Sequence, residues 1–421
     1  MLDIKFIREN PDLIKNAATK KHIDFNLDAL LTAEQKRTTL LGEVEGMRAE
    51  QNSFTERIAR ANDQVERTAM IEQMKTLKVS LGTKEEELKT VMEEWRELML
   101  HVPNVPDVSV PDGTSDAENV EVKRWGTPAV FPFTPQSHID LMLQHDMVDF
   151  ERGTKVAGFR GYFLKGDGVL LYNALSQLAL KHFMSKGFTP MMVPSLVRRE
   201  TFLGTGYLPQ GEDDLYKTQD GEYLAGTGEV ATMGYHMDEI LDAGTLPKKY
   251  LAFSPCFRRE AGSHSKDVKG LIRVHEFAKW EQVVLCEANH ETSVTFHEEL
   301  TRNSEEFLEL LGLPYHVVVN CGGDLGLGQV KKYDIEVWVP GEGKYRETHS
   351  SSYFHDFQTR RLNTRYRDSE GKVRFTHSLN NTAVASPRIL VSVVENYQNA
   401  DGTIRVPDAL VPYMGKSQIG G

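Results

Sequence analysis

Residues 257–281 read Phe257-Arg-Arg-Glu-Ala-Gly-Ser-His-Ser-Lys-Asp-Val-Lys-Gly-Leu-Ile-Arg-Val-His-Glu-Phe-Ala-Lys-Trp-Glu281. Two segments of strand-like or amphipathic character flank a loop that holds Gly262, Ser263, Ser265, Asp267 and Gly270. Arg258, Arg259, Lys266, Lys269 and Arg273 crowd around that loop, with Glu260 and Glu281 at its ends. A guanidinium is a planar fork that matches phosphate oxygens, and Glu260 can accept from an amino group. The stretch suits a polyphosphate gripped by cations while carboxylates read something else. Its composition alone fits an exposed charged hairpin equally well.

Three further segments carry candidate chemistry. Leu224-Ala-Gly-Thr-Gly-Glu-Val-Ala-Thr232 sets the Thr227 hydroxyl and the Glu229 carboxylate in a small-residue loop before a helix. A small polar ligand or a plain capped helix start both fit. In Arg346-Glu-Thr-His-Ser-Ser-Ser352, Glu347 stands three residues before Ser350, and such hard oxygens can hold Mg²⁺ beside phosphate. A solvated turn is the simpler reading. Leu379-Asn-Asn-Thr-Ala-Val-Ala-Ser-Pro-Arg388 runs from a strand into a helix, with Ser386 suited to its cap and Pro387 to its first turn. Arg388 then projects near a helix N-terminus. The glycines of Gly322-Gly-Asp-Leu-Gly-Leu-Gly328 do not match a dinucleotide fingerprint or a phosphate loop, and read as turns.

Outward from these segments the chain divides. Up to about residue 101 there is almost no strand character. Leu40, Val44, Met47, Gln51, Phe54 and Ile58 follow alternating steps of four and three, as do Met74, Leu77, Leu81, Lys84, Leu88, Val91, Trp95 and Leu98. That period of 3.5 is a coiled-coil seam. With a turn at Ala61–Glu66, it predicts an antiparallel helical hairpin roughly 50 Å long at 1.5 Å per residue. Pro103, Pro106 and Pro111 then block helix continuation. The expected organisation is a coiled-coil domain over 1–105, an extended linker over 106–120 and a second domain over 121–421. In that last part strand-length apolar clusters (161–164, 249–253, 282–285, 315–319, 335–339) alternate with helical stretches (170–186, 290–311, 386–398). The fold class is α+β, with a mostly antiparallel sheet flanked by helices.

Bulk properties narrow the function. There is no apolar run long enough for a membrane span, and the N-terminus does not read as a secretory signal. Cys256, Cys286 and Cys321 are widely spaced and odd in number, which argues against disulfides and zinc and fits a reducing cytoplasm. The net charge of −12 gives no bulk support for nucleic-acid binding, so any such binding needs local basic surfaces.

Taken together and in order, the segments resemble a class II aminoacyl-tRNA synthetase, specifically the bacterial-type seryl family. Gly187-Phe-Thr-Pro-Met-Met-Val-Pro194 resembles the first class motif. Phe257-Arg-x-Glu260, a loop and Arg273-Val-His-Glu-Phe277 resemble the second, and Arg388 opening a helix resembles the third. The seryl character lies in Arg259–Ser263, Gly270–Arg273, Asp356-Phe-Gln-Thr-Arg-Arg361 and Glu395-Asn-Tyr-Gln398. It continues in Asp401-Gly, Val406-Pro and Pro412-Tyr-Met414. The likeness covers essentially the whole chain.

The resemblance implies roles by position. Arg258 and Arg388 would be catalytic, meeting the phosphates of ATP. Arg258, Arg259, Glu260, Val274, Phe277, Glu347, Thr348, His349, Ser350 and Arg388 would bind ATP, with Glu347 and Ser350 ligating its Mg²⁺. Thr227, Gly228, Glu229, Arg258, Glu281, Asn380 and Thr382 would surround L-serine. Lys266 and Lys269 would serve ATP or the tRNA acceptor end. The hairpin, with Arg48, Arg57, Arg60, Arg67, Lys75 and Lys78 toward its tip, would reach along tRNA(Ser), and tRNA(Sec) where an organism has one. A cytoplasmic homodimer formed through the first motif is implied, without zinc. Where the family usually has Gly-Ser-Gly-Leu-Ala-Val-Gly-Arg, this chain reads Asn381-Thr-Ala-Val-Ala-Ser-Pro-Arg388, and Thr348 and His349 replace the commoner Ile and Ser. Two alternatives stand beside this reading: a non-catalytic RNA-binding paralogue, favoured only by the altered 381–388 segment, and a ligase that loads a carrier protein, whose relatives lack the hairpin that this chain keeps.

Overall fold

The computed structural model describes residues 1–262 and 267–420. The chain forms two compact units. One holds Asp3–Thr19 and Ile23–Pro103, and the other Met1–Leu2, Lys20–His22 and Asn104–Gly421.

The first unit is dominated by two long helices, α1 (Leu27–Arg60) and α2 (Gln64–Leu100). Their starts are capped: Asn26 accepts from Ala29 N, and Asp63 accepts from Val65 N and Glu66 N. Asp63 thus begins α2 earlier than the polarity of 61–66 suggests, and the turn shrinks to Ala61–Asp63. Leu40, Val44, Leu81 and Leu88 bury together, with Met47, Val91 and Met92 against them. Ion pairs Arg48–Glu85 (2.7 Å) and Lys84–Glu43 (3.0 Å) flank this seam. Toward the tip Phe54, Ile58, Met74 and Leu77 are only half-buried, so the hairpin is tightest at its base.

The 106–120 segment turns at Asp107–Val110 and again in a short 3-10 helix at Asp116–Glu118, and it is not a free tether. Asn104 Nδ2 donates to the carbonyls of Gly328 (2.9 Å) and Phe354 (2.8 Å), Asp107 N donates to Val330 O, and Tyr353 Oη donates to Asp107 (2.9 Å). Prolines block a helix here but leave carbonyls and neighbouring amides free to be held.

The second unit is built on one sheet of eight strands: β1 (Val120–Trp125), β2 (Thr189–Met192), β3 (Lys248–Phe257), β4 (Glu276–Cys286), β5 (Tyr315–Val319), β6 (Lys331–Val339), β7 (Lys344–His355) and β8 (His377–Ala385). Their order is β1-β5-β6-β7-β8-β4-β3-β2. Every pairing is antiparallel except β2 with β3. The helices that follow the sheet are α3 (Gly166–Ser185), α4 (Gly228–Gly234), α5 (His290–Leu310) and α6 (Ser386–Asn396). Leu175, Phe183, Phe307, Leu390 and Val393 from these helices share one core with Leu251, Val284, Ile335 and Val337 from the strands. Burying each such side chain contributes about 1.5–3 kcal/mol.

Three irregularities interrupt the sheet near its centre. In β7, His349 lies opposite Ile335 and Glu347 opposite Glu336, leaving Thr348 as an extra residue. In β8, Val384 lies opposite Trp280 and Thr382 opposite Glu281, leaving Ala383 extra. A third shift falls at Phe354 in β7. A bulge flips the alternation of side chains beyond it, and this decides what the sheet presents. Among the described residues no helix is long and apolar enough to cross a membrane.

Candidate active site

A cavity of about 440 Å³ opens on the middle of the sheet. Phe277, Lys279 and Glu281 of β4 form part of its floor, as alternate residues of a regular strand should. Asn380 and Thr382 of β8 alternate onto the same floor, and Ala385 joins them only because the bulge at Ala383 reverses the alternation. Glu347 and Ser350, three apart and so on opposite faces of a regular strand, share this face through the bulge at Thr348. Their oxygens form the hard donor pair that suits Mg²⁺.

Thr227 caps α4, accepting from Glu229 N (3.2 Å), and both residues line the cavity. The buried Glu229 carboxylate accepts from Tyr207 Oη (3.0 Å) and Gln358 Nε2 (2.7 Å). Burial raises its pKa against those bonds. Lys279, buried, donates to Thr227 Oγ1 (2.8 Å) and ion-pairs with Glu281. Burial raises the Glu281 pKa too, with Lys279 and Arg258 pulling against it.

Arg258 ends β3 one residue past its last paired position. Its Nε donates to Gly226 O (3.2 Å), and its guanidinium lies 5.4 Å from the Phe277 ring centre. Arg388 comes from the first turn of α6, with Pro387 before it. The helix begins at Ser386, so Ala385 takes the cap position and no side chain caps it. Arg388 Nε donates to Ile272 O (3.1 Å) and Nη1 to Glu347 O (2.8 Å), with the Glu347 carboxylate 3.4 Å away. The Glu347 side chain is about half exposed, and although the surrounding protein partly desolvates it, Arg388, Lys332 and Arg258 hold its carboxyl below the ordinary range.

The loop of the 257–281 stretch is less free than its composition implies. Arg273 pairs with Glu260 and lies 3.6 Å from Asp267, which also pairs with Arg346. Glu260, Arg273, Val274 and Phe277 all line the cavity. Lys269 is exposed and Lys266 lies outside the described residues, as do Ser263 and Ser265.

Three of the expected residues do not line the cavity. Arg259 is exposed and absent from the cavity wall; its neighbour Arg258 takes the inward direction, and a strand-like backbone sends the next side chain outward. Gly228 is buried beneath the wall, 3.4 Å from Ala252 Cβ as measured from where a Cβ would stand, and only its flanking residues face the cavity. His349 is fully buried and absent from the cavity wall, because past the bulge at Thr348 the alternation resumes and sends it to the face opposite Ser350. The remaining candidates, Thr227, Glu229, Arg258, Glu260, Val274, Phe277, Glu281, Glu347, Thr348, Ser350, Asn380, Thr382 and Arg388, converge on the one cavity.

Other wall residues escaped sequence reasoning. Tyr207 and Lys279 carried no motif. Gly326, Leu327, Gly328 and Gln329 do form turns, but the turns are a wall of the cavity. Lys21, buried, secures them by donating to the carbonyls of Gly326 (3.0 Å), Leu327 (2.9 Å) and Gln329 (2.6 Å). Only the fold brings residue 21 to residue 326.

The glycine-poor segment fits without glycine. None of residues 380–388 takes a positive φ. Asn381 points away from the cavity and donates to Leu300 O (2.7 Å) and Ser304 Oγ (3.0 Å) of α5.

Comparison with known proteins agrees with this geometry. Residues 1–106 match the seryl-tRNA synthetase N-terminal domain, and residues 215–397 match the tRNA synthetase class II core domain (G, H, P, S and T). The serine–tRNA ligase of Deinococcus radiodurans is 46% identical over 420 residues, spanning 100% of this chain and 99% of that one. That of Thermodesulfovibrio yellowstonii is 44% identical over 423 residues, spanning 99% of each. The crystal structure of seryl-tRNA synthetase from Pyrococcus horikoshii complexed with ATP superposes with a TM-score of 0.91 at 37% identity, covering 100% of this chain and 99% of that one. With a hairpin unit, a class II sheet and relatives that match from end to end, the chain belongs to the serine–tRNA ligase family of class II aminoacyl-tRNA synthetases.

Proposed function

We propose that the cavity on β4, β7 and β8 is where this serine–tRNA ligase joins L-serine to ATP, with serine at the Thr227–Glu281 end and ATP between Arg258 and Arg388. The observation that carries this is the convergence of three arginines (Arg258, Arg273, Arg388) and four carboxylates (Glu229, Glu260, Glu281, Glu347) on one cavity. Glu229, Glu281, Asn380 and Thr382 offer acceptors and donors for an ammonium and a hydroxyl. Phe277 offers a flat apolar face, and Glu260 and the Val274 backbone lie beside it for a purine edge.

A serine carboxylate oxygen attacks the α-phosphorus of ATP. The bond to the bridging oxygen breaks, and pyrophosphate leaves with that electron pair. A terminal ribose hydroxyl of tRNA then attacks the seryl carbonyl carbon, loses its proton, and AMP departs. No enzyme nucleophile is required. The residues position the reactants and meet developing negative charge with fixed guanidinium groups. Glu347 and Ser350 would hold Mg²⁺, which supplies charge neutralisation on the phosphates. Glu281 and Thr382 select for the substrate hydroxyl, since an alanine would leave buried polar groups unpaired.

The remaining assignments rest on support of other kinds. The hairpin carries exposed cations among its acids, including Arg57, Arg67 and Lys78, and we assign it to tRNA(Ser), and to tRNA(Sec) where the organism has one, read by shape and backbone. A cytoplasmic homodimer through the 187–194 region fits the edge strand β2, where Met192 is 85% exposed, and Met184 and Leu170 nearby in sequence on α3.

The deciding experiment is serine-dependent exchange of pyrophosphate into ATP. Arg258→Ala is expected to lower it by about 10³-fold or more, the scale of a lost transition-state charge contact. Near-normal exchange would sink the assignment of ATP to this end of the cavity.

A further inference from the structure

We propose that His349 is a positioning residue for serine: its side chain holds the Ala383 bulge of β8 to β7, and that bond places the Thr382 hydroxyl. The inference rests on the assignment of Asn380 and Thr382 to serine made above.

Ala383 lies where the sheet's ladder lapses. Toward β4 it is the extra residue, with Val384 and Thr382 paired on either side. Toward β7 the pairing runs from His355↔Ser378 only as far as Ser351↔Asn381, and then the strands part. The Ala383 residue is completely buried. A buried carbonyl outside the ladder needs a donor from elsewhere.

His349 supplies it. Its Nε2 lies 3.1 Å from Ala383 O and its Nδ1 2.8 Å from Thr348 Oγ1. An imidazole nitrogen facing a carbonyl must carry the proton, so Nε2–H donates to Ala383 O and Nδ1 is an acceptor for the Thr348 hydroxyl, whose one proton is shared between it and Ile335 O (3.2 Å). The ring therefore ties together both bulged residues, Thr348 and Ala383. Each bulge decides which side chains reach the cavity, Glu347 and Ser350 in one strand and Thr382 and Ala385 in the other. On the cavity side of the same gap, Arg388 Nη1 donates to Glu347 O. ATP and its own helix can anchor that second bridge. The His349 bridge bears on the serine end, since Ala383 follows Thr382 directly, and it adds a β7 anchor to the one that Ser304 Oγ gives by donating to Thr382 O (2.9 Å).

The side-chain reach gives a test. Glutamine places an amide nitrogen near the ε position of histidine, whereas asparagine reaches only the δ position. Serine and ATP are varied separately in pyrophosphate exchange for His349→Leu, His349→Asn and His349→Gln, with thermal unfolding recorded for each. The expected result is a KM for serine raised about 10-fold or more in the Leu and Asn variants. The KM for ATP should stay within about 3-fold, and His349→Gln should return the serine KM to within about 3-fold of the parent. Should His349→Leu fail to fold, the contrast between Asn and Gln decides alone. Equal serine KM values in those two, or a matching rise in the KM for ATP, would overturn the proposal. Thr382→Ala, assayed alongside, separates the two levels of the argument. An unchanged serine KM in that variant refutes the serine assignment itself, whereas a raised one with no Asn–Gln contrast at position 349 refutes only the role of His349.

Discussion

Lys279 shows how single residues in this cavity are set by their neighbours. It is buried between the Thr227 hydroxyl and the Glu281 carboxylate, and an unpaired ammonium there would be costly. Glu281 is thus held by Lys279 while it faces the part of the cavity assigned above to serine and its hydroxyl. Because burial raises the Glu281 pKa, with only partial offset from Lys279 and Arg258, this carboxyl takes up its proton at a higher pH than an ordinary glutamate. As pH falls through that value the negative charge is lost, so the KM for serine should climb on acidification. Glu281→Gln should raise the serine KM at neutral pH by about 10-fold or more, the scale of a charged hydrogen bond, and should flatten its pH dependence. Exchange assays between pH 5.5 and 8 check both, and a variant with the parent's pH slope would assign the titration elsewhere.

At the scale of elements, the bulges in β7 and β8 matter more than the strands that hold them. Glu347 and Ser350 stand in the sequence at a spacing that a regular strand would split between two faces. Their sharing one face depends on an extra residue that periodicity does not reveal. The same holds for the 381–388 segment. Its lack of glycine looked like lost backbone freedom, yet Asn381 is spent on α5 and the backbone never enters the left-handed region. Asn381→Gly should therefore destabilise the protein by about 1–3 kcal/mol, from two lost buried hydrogen bonds and a freer unfolded chain. The serine KM should stay within about 3-fold of the parent, because this side chain faces helix rather than cavity. Urea unfolding and exchange kinetics on the same preparation test the pair of expectations.

For the whole molecule, the two compact units predict separable losses. Removing residues 36–98 and joining the ends with a short turn should leave pyrophosphate exchange within about 3-fold and abolish charging of total tRNA, because every residue lining the cavity lies outside the hairpin. Loss of exchange to the same degree would make the hairpin a structural part of the catalytic unit. Sedimentation at micromolar concentration should give the mass of two chains, and Met192→Glu on the exposed edge strand should shift that mass toward one. A single-chain mass for the parent protein would remove the edge strand as an interface.

Local signals were enough for the helical hairpin, the α+β class and the order of the chemistry-bearing segments. A seam of period 3.5, a proline-rich joint and charged or hydroxyl residues beside short apolar runs all act over a few neighbouring residues. Arg258, Glu281 and Arg388 stood out as candidates because each sits in such a local pattern, whereas Thr382 was pointed to only by the family resemblance. Which side chains face the cavity was decided by tertiary structure, since a bulge is a property of two paired strands and not of either alone. Pairing thus turned His349 away and brought Ser350 in. It also brought Tyr207, Lys279 and the 326–329 turns to the wall and drew Lys21 under them, because distant segments meet only when the sheet closes its ladder and buried polar groups must find partners.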